Sequence, residues 1–307
     1  MIIAGLDFGG TAVKIGLISA DGTVMSKTEM AFDPKKSFAD LLDSVCDSVQ
    51  SLQTSAKVEL AAVGISTPGY ARSDSGVLID GTHNVPVLKG RSLPAALGDR
   101  LRLPAFIDND GTCAASGELL FGAGRRYNNF VLITLGTGIG GGVVVDRRVV
   151  TGRDGLPPEI GAICLDPDGP VNYSGIPGTF ERLASASGIV EIYGSESNRP
   201  PMGISPRDVF HRAAKGDTAA AATVDRVGRY IAQAFGIMIN LLNLEACIIG
   251  GGISKAGNPL LEAVRRHLPA FTWPLLYRNA HVLLARLGND TGMIGAATMA
   301  AQRLGLR

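Results

Sequence analysis

Several kinds of segment are missing from this chain, and each absence argues against a class of function. No Gly-Lys-Ser or Gly-Lys-Thr follows any of its glycine-rich stretches, so there is no Walker phosphate loop. No two cysteines form a C-x-x-C pair. Cys46, Cys113, Cys164 and Cys247 stand alone, which argues against a disulfide framework and a cysteine-built structural zinc. A free-thiol, cytoplasmic protein is the expectation that follows. No long basic run or basic helix is present and the formal net charge is +1, so nucleic acid is not an expected partner. The N-terminus enters a β-rich run without a basic start, a long apolar stretch or a cleavage site. The longest apolar helical stretch, near Tyr230 to Leu244, carries Gln233, Asn240 and Asn243, too short and polar to span a membrane. Aromatic residues are scarce at 6%, against an apolar fraction of 46%, a balance that fits a soluble α/β enzyme.

Glycine is abundant. The 40 glycines cluster in loops rather than in a repeat, and two of those loops carry most of the information. Asp7-Phe8-Gly9-Gly10-Thr11 leaves a strand that starts at Met1 and leads into the apolar run Ala12 to Ser19. Leu135-Gly136-Thr137-Gly138-Ile139-Gly140-Gly141-Gly142 leaves the run Phe130 to Thr134 and leads into Val143 to Val145. Glycine lets backbone N–H groups approach an anion closely. Two such hairpins gripping one polyphosphate suit a phosphoryl transferase. Gly136-x-Gly138-x-x-Gly141 also satisfies the dinucleotide-binding pattern, but that fingerprint needs a helix directly after the glycines. Here a strand follows. Two tight turns that only reverse the chain are the remaining alternative.

The length of 307 residues suits two domains. Strands are expected over 2–7, 12–19, 23–31, 58–66 and 105–108, with helices over 37–52, 92–101 and 111–120. The strand, glycine turn, strand pattern then restarts over 130–134 and 143–150. Helices are expected near 179–192, 206–214, 219–243, 259–268 and 292–304, and strands over 245–249 and 281–287. The repetition is one of architecture, and two similar lobes would place a ligand-binding cleft between them.

Together these segments resemble the ROK family (repressors, open reading frames, kinases) of the sugar kinase/actin/Hsp70 superfamily, over essentially the whole chain. Asp7-Phe8-Gly9-Gly10-Thr11 with Lys14 resembles the first phosphate motif, and Gly136 to Gly142 the second. Thr67-Pro68-Gly69 and His83-Asn84-Val85-Pro86 resemble two sugar-side segments, and Ile107-Asp108-Asn109-Asp110 the catalytic segment. Pro158-Glu159-Ile160-Gly161 and Gly178-Thr179-Phe180-Glu181 resemble the segments of two sugar-binding glutamates, and Gly250-Gly251-Gly252-Ile253-Ser254 the adenosine motif. The fold implied is a two-lobed α/β, actin-like (ribonuclease H-like) ATPase with a central cleft. Its sugar and phosphate lobe would take residues 1–117, with the helix in 292–307 packing back on it. Its nucleotide-binding and dimerisation lobe would take 118–291.

The resemblance implies an ATP-dependent, glucokinase-like transfer of the γ-phosphoryl group to a hydroxyl, expected to be O6, of a hexose or N-acetylhexosamine. Asp110 is implied as the base that accepts the hydroxyl proton. Asp108, on the same strand face, competes for that role, and Asp110 could instead cap the helix that follows. Asp7 is implied as the carboxylate that orders Mg²⁺ through water, although an Asp beside glycines also forms turns. Gly9, Gly10, Thr11, Lys14, Gly136, Thr137, Gly138, Gly250, Gly251 and Gly252 would bind the nucleotide. Gly69, Asn84, Asn109, Glu159 and Glu181 would bind the sugar. An acid near a helix start, such as Glu181, is also ordinary dipole complementarity.

One departure is large. Ala162 stands where the family carries a histidine, and 168–179 lack the family's cysteine cluster, so no zinc is expected. A homodimer is expected, with a small-molecule sugar as the other partner. Competing functions are a non-catalytic sugar or nucleotide sensor and a polyphosphate-dependent glucokinase. The repressor branch of the family needs an N-terminal winged helix, which is not expected where the first phosphate motif begins within ten residues of Met1.

Overall fold

The computed structural model describes residues 1–33 and 35–306. In chain order its elements are β1 (Ile2–Phe8), β2 (Ala12–Ser19), β3 (Val24–Ala31), α1 (Phe38–Ala56), β4 (Leu60–Thr67), β5 (Tyr70–Ala71), β6 (Leu78–Asp80), α2 (Leu93–Leu101), β7 (Ala105–Asn109) and α3 (Asp110–Phe121). The pattern then restarts with β8 (Phe130–Leu135), β9 (Ile139–Val145), β10 (Arg148–Val149), α4 (Phe180–Ala184), α5 (Ala186–Ser197), α6 (Pro206–Ala214), α7 (Thr218–Leu242) and β11 (Ala246–Gly250). It closes with α8 (Asn258–His267), α9 (Pro274–Tyr277), β12 (His281–Leu284) and α10 (Thr291–Arg303).

These elements form two compact units. The first holds Met1–Arg125, Val149–Pro158 and the chain from Asn289 on; the second holds Arg126–Arg148 and Glu159–Gly288. The expected boundary at residue 117 would cut α3. A helix forms cooperatively, and α3 stays whole in the first unit, which runs on to Arg125.

Each unit is built on a five-stranded sheet, ordered β3-β2-β1-β4-β7 in the first and β10-β9-β8-β11-β12 in the second. In the first, β1 pairs antiparallel with β2, and β4 and β7 follow in parallel. In the second, β8 pairs antiparallel with β9, and β11 and β12 follow in parallel. Buried alternating side chains set this register. Leu6, Phe8, Val13, Ile15 and Leu17 are buried with Val45 and Val49 of α1, on one face of the first sheet. A one-residue slip would turn that apolar row to the wrong side.

The other face of the first sheet is covered by α10, which packs on α3, β1 and β4. The approach is close because glycines line it. A methyl at Gly5 would overlap the carbonyl of Met293, and one at Gly64 the carbonyl of Ala296. That closeness brings the first turn of α10 onto the end of β1.

Two departures from the expected elements have local causes. Gly140, Gly141 and Gly142 lie inside β9, so the second turn is only Gly136-Thr137-Gly138. The helix expected over 179–192 breaks at Ser185 (φ −73°, ψ 178°) into α4 and α5. The break leaves the N–H of Ala186 outside the helix ladder, and it donates to the carbonyl of Gly136 at 2.9 Å.

Candidate active site

In the first unit the parallel strands β1, β4 and β7 end side by side. Asp7 stands beside Ser66, which stands beside Asp108 in the pairing register. Ser66 Oγ donates to Asp7 Oδ1 at 2.9 Å. Asp7 also faces Lys14 across the β1–β2 ladder, and Lys14 Nζ donates to the carbonyl of Asn289 at 3.2 Å, just before α10. Gly292, in the first turn of α10, touches the Asp7 carboxylate so closely that a methyl there would overlap it. Burial pushes the Asp7 carboxyl above its ordinary value, while the Ser66 bond and the Lys14 charge pull it back. Its Oδ2 has no protein donor among the described residues. One carboxylate oxygen left for solvent fits an ion that keeps most of its waters, so Asp7 is suited to hold Mg²⁺ through water.

The first glycine turn, Gly9-Gly10-Thr11, joins β1 to β2 and is closed by Gly9 N donating to Ala12 O at 2.9 Å. Asn84 lies against it, because a Cβ built on Gly10 would stand 3.0 Å from Asn84 Cβ. Gly69, at φ 92°, turns the chain sharply after β4. Its carbonyl accepts from Asn109 Nδ2 at 3.1 Å. Asn109 is the N-cap of α3, its Oδ1 accepting from Gly111 N at 2.9 Å. Asp110 is therefore the first helical residue and not the cap. Its Oδ1 also accepts from Gly111 N, at 2.8 Å.

The two candidate bases differ in their surroundings. Asp108 Oδ2 accepts from Arg303 at 2.9 Å, and Asp108 Oδ1 from Asn109 N at 2.8 Å, so both oxygens are engaged. Burial raises the Asp108 carboxyl, and the Arg303 charge opposes that. Asp110 has no basic partner among the described residues. Although one side is open to solvent, desolvation by the protein packed behind it, together with the negative Asp7, pushes its carboxyl up to about 6 against the pull of the Gly111 N–H.

In the second unit the turn Gly136-Thr137-Gly138 links β8 to β9. Gly250 pairs with Thr134, and Gly251, at φ 80°, lies against the backbone of Leu135, where any methyl would overlap. The triple glycine thus packs beside the turn. Glu181, in the first turn of α4, accepts from Ile139 N at 2.9 Å through Oε2. Glu159 is raised by burial and then by the Glu181 charge, which places the two carboxylates near each other.

The loop after Glu159 is tied by its own backbone. Leu165 N donates to Gly178 O at 2.8 Å, Gly178 N to Pro170 O at 2.9 Å, and Asn172 Oδ1 accepts from Ser174 N and Ile176 N at 3.0 Å each. Gln233 of α7 adds a bond of 2.8 Å to Leu165 O. Among the described residues no three His, Cys, Asp or Glu side chains are grouped to hold a metal.

The structure thus gathers Asp7, Gly9, Gly10, Thr11, Lys14, Gly69, Asn84, Asn109 and Asp110 in the first unit. It gathers Gly136, Thr137, Gly138, Glu159, Glu181, Gly250, Gly251 and Gly252 in the second. Ser66, Gly292 and Arg303 were absent from the sequence reading. Only Ser66 had a local signal, a small polar residue ending a buried strand.

The sequence model of the ROK family matches residues 3–303. A glucokinase of Halalkalibacterium halodurans is 33% identical over 97% of this chain and 94% of its own. An N-acetylmannosamine kinase of Shigella flexneri is 30% identical, over 98% of each chain. A ROK family glucokinase from Streptomyces griseus, solved in complex with glucose and AMPPNP, superposes with a TM-score of 0.83 at 28% identity, over 98% of this chain and 100% of that one. The two-sheet α/β fold is the actin-like one that these kinases share.

Proposed function

The chain belongs to the ROK family, and on that premise we propose that it is an ATP-dependent sugar kinase, phosphorylating O6 of a hexose or N-acetylhexosamine. Asp110 carries the reading. A carboxylate near 6 is ionised at neutral pH yet basic enough to accept a hydroxyl proton as the oxygen attacks phosphorus. Asp108 is ill suited to that task, with one oxygen on Arg303 and the other on a backbone N–H.

Asp7 would hold Mg²⁺ through water, and the ion would supply charge that offsets the polyphosphate. Gly10, Thr11, Thr137 and Gly138 offer backbone N–H groups to the phosphates, with Lys14 adding charge, while Gly9 and Gly136 shape the two turns, their N–H groups donating to Ala12 O and Gly138 O. Gly250, Gly251 and Gly252 leave room for adenosine. Gly69, Asn84, Asn109, Glu159 and Glu181 serve the sugar. Asn109 already uses one N–H and one lone pair of its amide, so it meets a sugar through the second N–H of Nδ2 and the remaining lone pair of Oδ1. ATP as donor is supported by the relative solved with AMPPNP. No zinc is required, because the loop at 165–178 is closed by backbone bonds.

A homodimer in the cytoplasm completes the proposal. The C-terminal half of α7, the residue before α9 and α9 itself expose Leu241, Trp273 and Leu275 at 76%, 67% and 63%. Asn240 ties α7 to the chain before α9, donating to Phe271 O and accepting from Trp273 N. No helix among the described residues is long and apolar enough to cross a membrane.

The test is a screen of ATP and polyphosphate against hexoses, ketoses and N-acetylhexosamines, read as ADP release and phosphosugar formation. ATP with an aldohexose or N-acetylhexosamine is expected to work. Binding of sugars without turnover of any pair would instead make the protein a sensor.

A further inference from the structure

Glu181 does more than stand near a sugar. Its Oε2 accepts from Ile139 N at 2.9 Å, and Ile139 is the first residue after the second glycine turn. The other end of the turn is held from the same elbow, where Ala186 N donates to Gly136 O at 2.9 Å. The α4–α5 elbow therefore clasps Gly136-Thr137-Gly138 at both ends. The elbow is fixed in turn: Thr179 caps α4, accepting from Arg182 N at 3.2 Å, and Phe180 N donates to Ile163 O at 2.8 Å.

Gly138 completes the fit. A Cβ there would stand 2.5 Å from Glu181 Oε2, with no other clash than that carboxylate. The turn thus carries a glycine that leaves space for a glutamate. On the opposite flank a methyl at Gly161 would overlap the carbonyl of Ile139 and lie 3.4 Å from Glu181 Cβ. Glu159, two residues earlier, feels the Glu181 charge. One carboxylate thus holds the turn, and a second lies near the first.

We propose that Glu181 is a positioning residue for the second glycine turn and joins it to the sugar subsite, so that occupancy of either tightens the other. The inference rests on the sugar-kinase reading above. Its sign follows from charge. A bare carboxylate beside the turn repels phosphate. A sugar hydroxyl donating to the second oxygen of Glu181 offsets that charge and holds the side chain on Ile139 N, lowering the cost of ordering the turn. Linkage then requires the reverse effect, nucleotide tightening sugar, by the same factor.

Calorimetry with glucose and AMPPNP tests this. In the wild type, saturating glucose is expected to tighten AMPPNP about fivefold or more. Glu181→Gln keeps an acceptor for Ile139 N but no charge, so AMPPNP affinity without sugar is retained or improved and the glucose-dependent gain disappears. Gly138→Ala is the decisive variant. Gly138 lies outside the left-handed region, so alanine fits its backbone and the methyl meets only Glu181. If the turn and the sugar subsite share Glu181, this change weakens glucose about tenfold in the absence of nucleotide, from the loss of a charge-assisted hydrogen bond. Unchanged glucose affinity in Gly138→Ala overturns the proposal. Failure of the wild type to bind any sugar contradicts the kinase reading instead. In that case Glu181→Ala against Glu181→Gln, equal in charge, still decides the clasp: weaker AMPPNP binding in the alanine variant is expected, and equal affinity in the two would refute it.

Discussion

The two sheets share one strand order and differ along one row of residues. At the ends of the parallel strands the first sheet carries Asp7, Ser66 and Asp108 in adjacent register. The matching row of the second sheet is Thr134 beside Gly250, with Ala285 following β12. Across the hairpin, Asp7 faces Lys14 and Thr134 faces Gly140. A glycine turn of three residues follows in both, Gly9-Gly10-Thr11 and Gly136-Thr137-Gly138. One fold has thus been given two chemistries. The first end offers carboxylates that can take a proton or hold a hydrated ion. The second offers bare backbone, with glutamate arriving from outside the sheet, Glu181 from the α4–α5 elbow and Glu159 from the chain that follows β10. Architecture repeated and chemistry did not, which is why fold alone does not assign function.

Exchanging the charge at the first end should have the largest effect. Asp110→Asn keeps size and removes the base, and turnover is expected to fall by about two to four orders of magnitude with sugar affinity largely kept. The same variant should behave oppositely in stability. The folded Asp110 carboxyl sits near 6 against 3.8 unfolded, so the native state holds the extra proton. Stability is therefore fully present below about pH 4 and declines as pH rises toward 6. Asp110→Asn removes that decline, and thermal melts should show it gaining on the wild type at pH 7 but not at pH 4.

Gly292→Ala and Gly250→Ala probe the two ends by one methyl each. Helix propensity alone favours alanine at Gly292 by about 1 kcal/mol. Overlap with the Asp7 carboxylate reverses this, so a loss of about 1–3 kcal/mol is expected, with a raised Mg²⁺ requirement. At Gly250 the new methyl would meet Ala285 Cβ at 3.4 Å, ordinary contact, so stability should change by less than about 1 kcal/mol. Equal losses in denaturant titrations of the two variants would erase the distinction drawn between the ends.

Arg303→Met should give a smaller effect. It strips the partner from Asp108, whose side chain is 13% exposed. A cost of about 1–2 kcal/mol is expected at pH 7. At pH 4 the cost should shrink, since burial already raises the Asp108 carboxyl and protonation then relieves it. A pH-independent cost would mean that Arg303 acts by packing alone.

Much of this arrangement was legible in the sequence, because the signals are local. Alternation located β1, β2 and β3 to within about a residue, and glycine runs marked the turns. The start of α3 was legible too, though the cap belongs to Asn109 rather than Asp110. What stayed hidden depends on residues far apart in the chain. Ser66 reaches Asp7 across 59 positions, and Arg303 reaches Asp108 across 195. Gly292 meets Asp7 only because Gly5 and Gly64 let α10 lie against the sheet. The break at Ser185 answers a backbone bond to Gly136, which no propensity of the segment itself encodes.

The central claim is that the carboxylate end of the first sheet performs proton transfer through Asp110. The most direct measurement is the pH dependence of kcat/KM for the wild type and Asp110→Asn. The wild type should lose activity below an apparent pKa of about 6, where Asp110 takes up its proton, and the residual activity of the variant should lack that limb. An acid limb that persists near 6 in Asp110→Asn, with turnover within tenfold of the wild type, would contradict the assignment.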